Sequence, residues 1–206
     1  MATLLRLDAS SRGQASVSRA MADYFVTHWR QFNPDGEIVV RDLVKNPLPH
    51  IAEDTISGFY QDKAEHDDRM KSATVLSDEL IKELKGTDVL LIDTPMYNFS
   101  VPSALKAWID QIVRSGETFQ YSPEDGFSGL VSIKQCYVIT VSGAVFSTDN
   151  MQAMDFLKPY LQLLLNFLGI INVEFITLEG STLDAMAFER SQEEARKAID
   201  NLGLGL

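Results

Sequence analysis

The chain has 206 residues, of which 45% are hydrophobic and 23% charged, the composition of an ordinary globular protein. Its formal net charge of −11 argues against nucleic-acid and anionic-membrane partners, because binding to them depends largely on clustered Lys and Arg. Its one cysteine, Cys136, excludes a disulfide within the chain. We expect no signal peptide and no membrane span, and therefore a cytoplasmic protein.

Short apolar runs alternate with helical patterns along the whole chain. In chain order, the predicted elements are a strand over 3–7, a helix over 16–32, a strand over 37–42, a helix over 72–84, a strand over 87–93, a helix over 103–113, a short strand over 118–121, a strand over 135–141, a helix over 151–168, a strand over 172–178 and a helix over 185–202. Residues 51–71 receive no assignment. The alternation predicts an α/β fold, a doubly wound five-stranded parallel sheet with helices on both faces, in a single domain spanning residues 1–206.

The loop after the first predicted strand is rich in hydroxyl groups. Ser10, Ser16 and Ser18 lie before and at the start of a helix, whose free N–H groups and positive dipole end favour an anion. Neither a dinucleotide fingerprint nor a P-loop is present. The loop suits the phosphate of a mononucleotide such as FMN, and the alternative is a simple N-cap by Ser16.

The loop after the third predicted strand is rigid and aromatic. Pro95 and Pro102 restrict its backbone, Tyr97 and Phe99 offer flat π faces, and Asn98 offers both a donor and an acceptor. Ligands of open α/β sheets bind at the carboxyl ends of the strands, so we expect a planar heterocycle here. The alternative is an ordinary connection whose aromatic side chains fill the core.

The loop after the fourth main strand contains two small residues, Gly143 and Ala144, which allow the backbone to approach a ring closely. Together the three loops predict a binding site for a phosphate at one end and a planar ring at the other.

Other residues that could carry chemistry receive no role. Asp93 lies at the end of the third predicted strand and is assigned no function. The three histidines show no metal-ligand spacing and no G-x-S-x-G motif occurs, so neither a metal site nor a serine hydrolase is predicted.

Apolar residues lie nearly all round the helix predicted over residues 151–168. A helix of this kind is normally buried on more than one side. We therefore expect it to pack on the sheet and also against a second subunit.

Several stretches resemble one known family, nearly from end to end of the chain. They are Asp23-Tyr-Phe-Val, Trp29-Arg30, Val40-Arg-Asp-Leu, Leu76-Ser-Asp-Glu-Leu-Ile, Pro95-Met-Tyr-Asn-Phe, Thr118-Phe with Tyr121, and Pro159-Tyr-Leu. Because of these stretches, the chain resembles the FMN-dependent NADH-azoreductases, which are relatives of the flavodoxin-like NAD(P)H:quinone oxidoreductases. The stretch Pro95-Met-Tyr-Asn-Phe after an apolar strand is the most specific.

The resemblance implies bound FMN, a homodimer with the flavin at the subunit interface, and a set of contact residues. By position, the phosphate and ribityl contacts would be Ser10, Ser16, Val17 and Ser18; the isoalloxazine contacts Met96, Tyr97, Asn98 and Phe99; the second flavin loop Val141, Ser142, Gly143 and Ala144; and the substrate-side aromatics Tyr121 and Phe167. The family often has Ser-Arg-Gly-Gly where this chain has Val-Ser-Gly-Ala, so the Arg at that edge is missing.

The resemblance also implies a reaction. Two electrons would pass from NADH or NADPH to FMN and then to a quinone or azo compound, in a ping-pong order. Because the flavin carries the chemistry, no catalytic side chain is expected. One alternative is a flavodoxin-type electron carrier without NADH-oxidising activity, against which the extra segments 51–71 and 118–129 weigh. A second is a flavin-free binding or regulatory module.

Overall fold

Seven strands occur in the computed structural model, which describes residues 1–205 of the chain. They are β1 (Thr3–Asp8), β2 (Glu37–Asp42), β3 (Val89–Pro95), β4 (Phe119–Ser122), β5 (Gly126–Gly129), β6 (Gln135–Val141) and β7 (Val173–Leu178). Five of them form a sheet in the order β2-β1-β3-β6-β7, and every pairing in it is parallel. This flavodoxin-like order confirms the predicted doubly wound sheet.

Helices cover both faces of this sheet, as predicted. They are α1 (Val17–Phe32), α2 (Glu53–Tyr60), α3 (Asp68–Lys85), α4 (Ser103–Ile112), α5 (Asp149–Gln152), α6 (Leu157–Phe167) and α7 (Ala185–Asp200). One hydrophobic cluster packs α1 and α7 against the sheet, and a second packs α3, α4 and α6 on the opposite face. Each cluster contains a fully buried tryptophan, Trp29 in the first and Trp108 in the second.

The central strands are the most deeply buried elements. All seven residues of β3 are buried, as are five of the six in β1. Burial on both faces explains why both strands are rich in Leu, Ile and Val without an alternation of apolar and polar residues. Each large apolar side chain removed from water there contributes about 1.5–3 kcal/mol before the entropy cost of ordering it.

The helix predicted over residues 151–168 is wrong as a single element. It is divided into α5 and α6, because the Asp155 carboxylate accepts the N–H groups of Leu157 and Lys158 at 2.9 and 3.1 Å and so caps a new helix. Pro159, in the first turn of α6, lacks the N–H that a continuous helix would require at that point. The sequence pattern Asp-x-x-x-Pro was the signal for this break.

Two further segments differ from the sequence analysis. The unassigned residues 51–71 contain α2, a short 3₁₀ turn (Lys63–Glu65) and the start of α3, whose N-cap is Asp67. The short strand over 118–121 is confirmed as β4, but its antiparallel partner β5 was missed. β5 has the sequence Gly-Phe-Ser-Gly, which carries little strand propensity.

The sheet order determines where a ligand can bind. The chain passes from β1 to β2 on one side and then returns to β3 on the other side of β1. Loops that leave the carboxyl ends of β1 and β3 therefore diverge and open a crevice between them. Among the described residues, no helix has both the length and the apolar character needed to cross a bilayer.

Candidate functional site

A cavity of about 260 Å³ lies at the carboxyl edge of the sheet, at the crevice between β1 and β3. Its lining comes from the loops after β1, β3, β6 and β7: Ser10, Arg12, Ser16, Val17, Ser18, Pro95, Met96, Tyr97, Val141, Gly143, Ser181 and Thr182. The predicted convergence of three loops on one edge is therefore observed, and a fourth loop joins them.

One end of this cavity is the N-terminus of α1. Ser16 caps the helix, since its side chain accepts the N–H of Arg19 at 3.3 Å. Among residues 1–205, the N–H groups of Val17 and Ser18 have no acceptor. A sixteen-residue helix thus directs two free donors and its positive dipole end at the cavity, which favours an anion.

The serine hydroxyls at this end are buried and already engaged. Ser18 Oγ donates to Asp93 Oδ1 at 2.8 Å, and Ser16 Oγ lies 3.1 Å from Ser18 Oγ. Ser10 Oγ accepts the N–H of Arg12 at 3.3 Å, which leaves its own proton unassigned. Of the three serines predicted as phosphate ligands, Ser10 is therefore the freest to donate.

The loop between β3 and α4 has an unusual backbone. Asn98 and Phe99 have φ angles of 50° and 68°, a left-handed conformation that is uncommon for residues other than glycine. Tyr97 and Ser100 hold this turn through reciprocal backbone hydrogen bonds of 3.0 and 3.1 Å. Left-handed residues of this kind cluster at functional sites, where surrounding contacts maintain the strain.

Contacts with two other segments fix the position of the same loop. The Met96 N–H donates to Val141 O at 2.7 Å, and the Phe156 N–H donates to Phe99 O at 3.1 Å. Within residues 1–205, the backbone N–H and the side chain of Asn98 have no hydrogen-bond partner. Asn98 therefore offers several free polar groups beside the cavity.

A second, larger cavity of about 540 Å³ adjoins the first at Tyr97. Residues 97–106 supply most of its lining, including Asn98 and Lys106, and Tyr160 of α6 closes one side. Tyr97 lines both cavities, so they are neighbours along the rigid loop.

The small residues after β6 are held in place by backbone hydrogen bonds from the loop after β7. The N–H groups of Thr182 and Leu183 donate to Gly143 O at 3.1 and 3.0 Å, and the Gly180 N–H donates to Ala144 O at 3.2 Å. A Cβ added to Gly143 would lie 3.2 Å from Thr182 Oγ1. A side chain at position 143 would therefore require Thr182 to move by a few tenths of an ångström.

The predicted site residues divide into those that line a cavity and those that do not. Ser10, Ser16, Val17, Ser18, Met96, Tyr97, Val141 and Gly143 line the first cavity, and Asn98 lines the second. Phe99, Ser142 and Ala144 line neither: Phe99 packs on Phe146 with ring centroids 6.2 Å apart, and the Ser142 hydroxyl donates to Ala144 O at 2.7 Å.

The aromatic residues Tyr121 and Phe167 lie apart from both cavities. They belong to a cluster on the β4–β5 hairpin and the end of α6, in which Phe127 contacts both, with ring centroids 5.0 Å from Tyr121 and 5.6 Å from Phe167. Tyr121 is 63% exposed. A substrate contact by either residue stays a prediction.

Pro95 belongs to the loop at which a ligand was expected, whereas three other lining residues were missed: Arg12, Ser181 and Thr182. Arg12 is the one charged side chain among the described residues that line the first cavity. Ser181 and Thr182 follow the last strand of a parallel sheet, so the rule that placed the other three loops at this edge also applied to them.

Comparison with known proteins gives close relatives over the full length. The chain matches the family described as Flavodoxin-like fold over residues 2–202. It is 44% identical over 206 residues to the FMN-dependent NADH:quinone oxidoreductase of Xanthobacter autotrophicus, with 98% of each chain covered. It is 37% identical over 201 residues to the protein of the same name from Hydrogenovibrio crunogenus, with 98% of this chain and 99% of that one covered.

Solved structures show the same architecture. An azoreductase from Bacillus anthracis superposes with a TM-score of 0.88 at 25% identity, covering 98% of this chain and all of that one. A second structure from this organism, an FMN-dependent NADH-azoreductase in complex with FMN, gives a TM-score of 0.85 at 23% identity, covers 97% of this chain and 98% of that one, and supports the fold alone. The chain therefore belongs to the flavodoxin-like fold family, together with relatives named FMN-dependent NADH:quinone oxidoreductases.

Proposed function

We propose that this protein is an FMN-dependent oxidoreductase that transfers two electrons from NADH or NADPH to quinones and azo compounds. The observation that carries the proposal is the cavity where the loops after β1, β3 and β6 meet, with an anion site at one end and a rigid aromatic loop at the other. The names of its full-length relatives support the same reaction.

The residues at the α1 end fit a phosphate. Val17 and Ser18 provide two unpaired N–H groups, Ser10 provides a buried hydroxyl, and Arg12 provides a positive charge. Phosphate binding at a helix N-terminus needs this combination of donors and positive potential. A phosphate satisfies these donors with several oxygens and also balances the charge of Arg12.

The residues at the other end fit a flat, polar-edged ring. Met96, Tyr97 and Val141 provide apolar and aromatic surface, and Gly143 allows the backbone to approach closely. Asn98 provides donors and an acceptor for the ring edge, held in place by the strained turn. We propose that Phe99, Ser142 and Ala144 support these loops from behind the lining.

The protein's task in this reaction is to bind and orient. Bound FMN would supply the chemistry, by exchanging two electrons first with a nicotinamide and then with a quinone or azo compound. We propose that the donor and the acceptor bind in turn in the second cavity, which is lined by Asn98 and Tyr160, in a ping-pong order. The side chains of this chain would hold the ring, exclude water and leave one face open.

We further propose a homodimer, with Tyr121 and Phe167 near the substrate at the interface. Supporting this, α6 packs on the sheet through one side while Leu163 on another side is 71% exposed, and Phe127 of the hairpin is 64% exposed. Light scattering of the FMN-loaded protein should give twice the mass of one chain. Leu163→Glu should reduce that mass to one chain, whereas Met186→Glu, at a site 82% exposed on α7, should not.

The function is tested by adding FMN and then NADH to the purified protein without a partner reductase. NADH should be oxidised when a quinone or azo compound is present. A protein that binds FMN but oxidises no NADH or NADPH would be an electron carrier, and one that gains no visible absorption with FMN would be a flavin-free module.

A matched pair of variants tests the site itself. Ser10→Ala removes a buried hydroxyl from the lining and should weaken FMN binding several-fold. Ser11→Ala removes an exposed hydroxyl from the neighbouring position, outside the lining, and should leave the dissociation constant unchanged. Equal changes in the FMN dissociation constant for the two variants would contradict the proposed phosphate site.

The cytoplasmic location and the single domain over residues 1–206 stay predictions.

A further inference from the structure

Three aspartates lie side by side at the carboxyl ends of β2, β1 and β3. Asp8 is in register with Asp42 on one neighbouring strand and with Asp93 on the other. The row faces α1, because Ser18 of α1 donates to Asp93 and Arg19 of α1 donates to Asp42. It therefore lies beneath the helix whose N-terminus borders the first cavity.

Two arginines compensate part of this negative charge. Arg6 Nε lies 2.6 Å from Asp8 Oδ1, and Arg19 Nη1 lies 2.7 Å from Asp42 Oδ2. Asp93 receives less compensating positive charge. Its Oδ2 is 3.9 Å from Arg6 Nε and has no hydrogen-bond partner in the part of the chain that the structure describes. Asp93 is thus the least compensated carboxyl group of the row.

Asp93 is also the most deeply buried of the three, with 0% of its surface exposed. Burial, followed by the neighbouring carboxylate of Asp8, raises the pKa of Asp93 well above its ordinary value, although Ser18 and Arg6 oppose the shift. The charged groups around it are Arg6 and Asp8 on β1, Arg19 and Asp23 on α1, and Asp42 on β2, while its in-register neighbour on β6 is the apolar Ile139.

Two serine hydroxyls connect Asp93 to the cavity. A serine has one hydroxyl proton, so while Ser18 donates to Asp93 the bond between the two serines must use the proton of Ser16. In that arrangement neither hydroxyl proton is available to an anion. A protonated Asp93 can instead donate to Ser18, which frees both hydroxyl protons to turn toward the cavity.

We propose that Asp93 is a proton-linked positioning residue for the phosphate end of the cavity, holding a proton from solvent while Ser16 and Ser18 donate to the phosphate of FMN. The proton offsets one of the negative charges that a phosphate dianion adds above the aspartate row. This role rests on the proposed function and deepens it, because it makes phosphate binding depend on the protonation of a buried group.

The proton count on binding is the direct measurement. The apoprotein is titrated calorimetrically with FMN between pH 7 and 9.5, in buffers with different heats of ionisation, where the phosphate is already a dianion. The wild type should take up as much as one proton per FMN. Its dissociation constant should rise by up to about tenfold per pH unit above the pKa of Asp93. Riboflavin, which has no phosphate, should bind without proton uptake.

Two variants distinguish the proton uptake by Asp93 from any contribution of Asp42 in the same row. Asp93→Asn has nearly the same shape, stays neutral and can donate to Ser18, so it should abolish the proton uptake and flatten the pH dependence. Asp42→Asn is the matched control. Arg19 lowers the pKa of Asp42 to about 2, so this group is ionised throughout the titration and its loss should leave the uptake in place.

Equal proton uptake by the wild type and Asp93→Asn would overturn the proposal, as would a wild-type FMN affinity that does not change with pH. If Asp93→Asn does not fold, Ser18→Ala serves instead: it cuts the link between Asp93 and Ser16 and should also remove the uptake. A wild type that binds no FMN at any pH would refute the proposed function itself, so the two failures are distinguishable.

Discussion

Neutralising Asp42 should loosen the attachment of α1 to the sheet edge. The Asp42 carboxylate accepts Arg19 Nη1 at 2.7 Å and the N–H groups of Val44 and Lys45 at 3.1 and 2.9 Å. Asp42→Asn keeps an acceptor for the two backbone N–H groups but removes the charge that pairs with Arg19. The variant therefore isolates the ion pair that holds the first turns of α1.

The magnitude follows from the pKa of Asp42. The hydrogen bond from Arg19, with those from Lys45 and Val44, lowers it from 3.8 to about 2 despite the opposing effect of burial. The whole lowering of the pKa corresponds to about 2.5 kcal/mol. Because Asp42→Asn keeps the acceptor for Val44 and Lys45, and because 19% of the side chain is exposed to screening solvent, we expect a loss of about 1–2 kcal/mol. Since the folded-state pKa is lowered, this stability is complete above the unfolded-state pKa and is lost as the pH falls through about 2.

Urea unfolding of the two proteins at pH 7 and pH 3 tests this. Asp42→Asn should be less stable by the full amount at pH 7 and by about half of it at pH 3, which lies between the two pKa values. The control is Glu124→Gln, an exposed carboxylate that forms no ion pair within residues 1–205, with an expected change below about 0.5 kcal/mol. A difference for Asp42→Asn that is negligible, or the same at both pH values, would refute the reasoning.

Two further substitutions test the loops around the cavities. Asn98→Ala removes free polar groups beside the ring site and should raise the FMN dissociation constant about threefold to tenfold, measured by quenching of flavin fluorescence; an unchanged constant and rate would exclude that role. Gly129→Ala puts a Cβ 2.1 Å from Gly169 N, so the β4–β5 hairpin must shift and the melting temperature should fall by several degrees. Gly203→Ala, whose Cβ meets nothing within 4 Å, is its control, and equal melting temperatures would contradict the packing described.

The parts of the fold that were predictable are those in which local pattern and burial agree. The five strands of the main sheet were predicted to within two residues at each end, because each contains a short cluster of apolar, largely β-branched or leucine residues bounded by polar segments. The break between α5 and α6 was missed because apolar periodicity continues across it, whereas the cap by Asp155 is a single side-chain contact. β5 was missed because its pairing with β4, rather than its own composition, makes it a strand.

The site was predictable at the level of loops and less so at the level of atoms. The rule that ligands bind at the carboxyl ends of parallel strands placed eight predicted residues at one cavity. It could not show that the Ser18 hydroxyl is engaged by Asp93, since these residues are 75 positions apart and meet only through the sheet register. The row of aspartates was missed for a similar reason, because Asp8, Asp42 and Asp93 are far apart in the sequence and become neighbours only through the sheet register.

The charge of the cavity leads to a last prediction. The resemblance to azoreductases suggested an Arg in the loop after β6, where this chain has Ser142, whose hydroxyl donates to the backbone of its own loop. The positive charge of the lining comes from Arg12 on the opposite loop instead. Arg12→Ala should weaken FMN binding about tenfold but leave riboflavin binding nearly unchanged, because only FMN carries a phosphate. Arg12→Lys should restore part of the affinity, and Arg69→Ala, an exposed arginine of α3 outside the lining, should have no effect. Equal losses for FMN and riboflavin would mean that Arg12 maintains the loop and does not contact the phosphate.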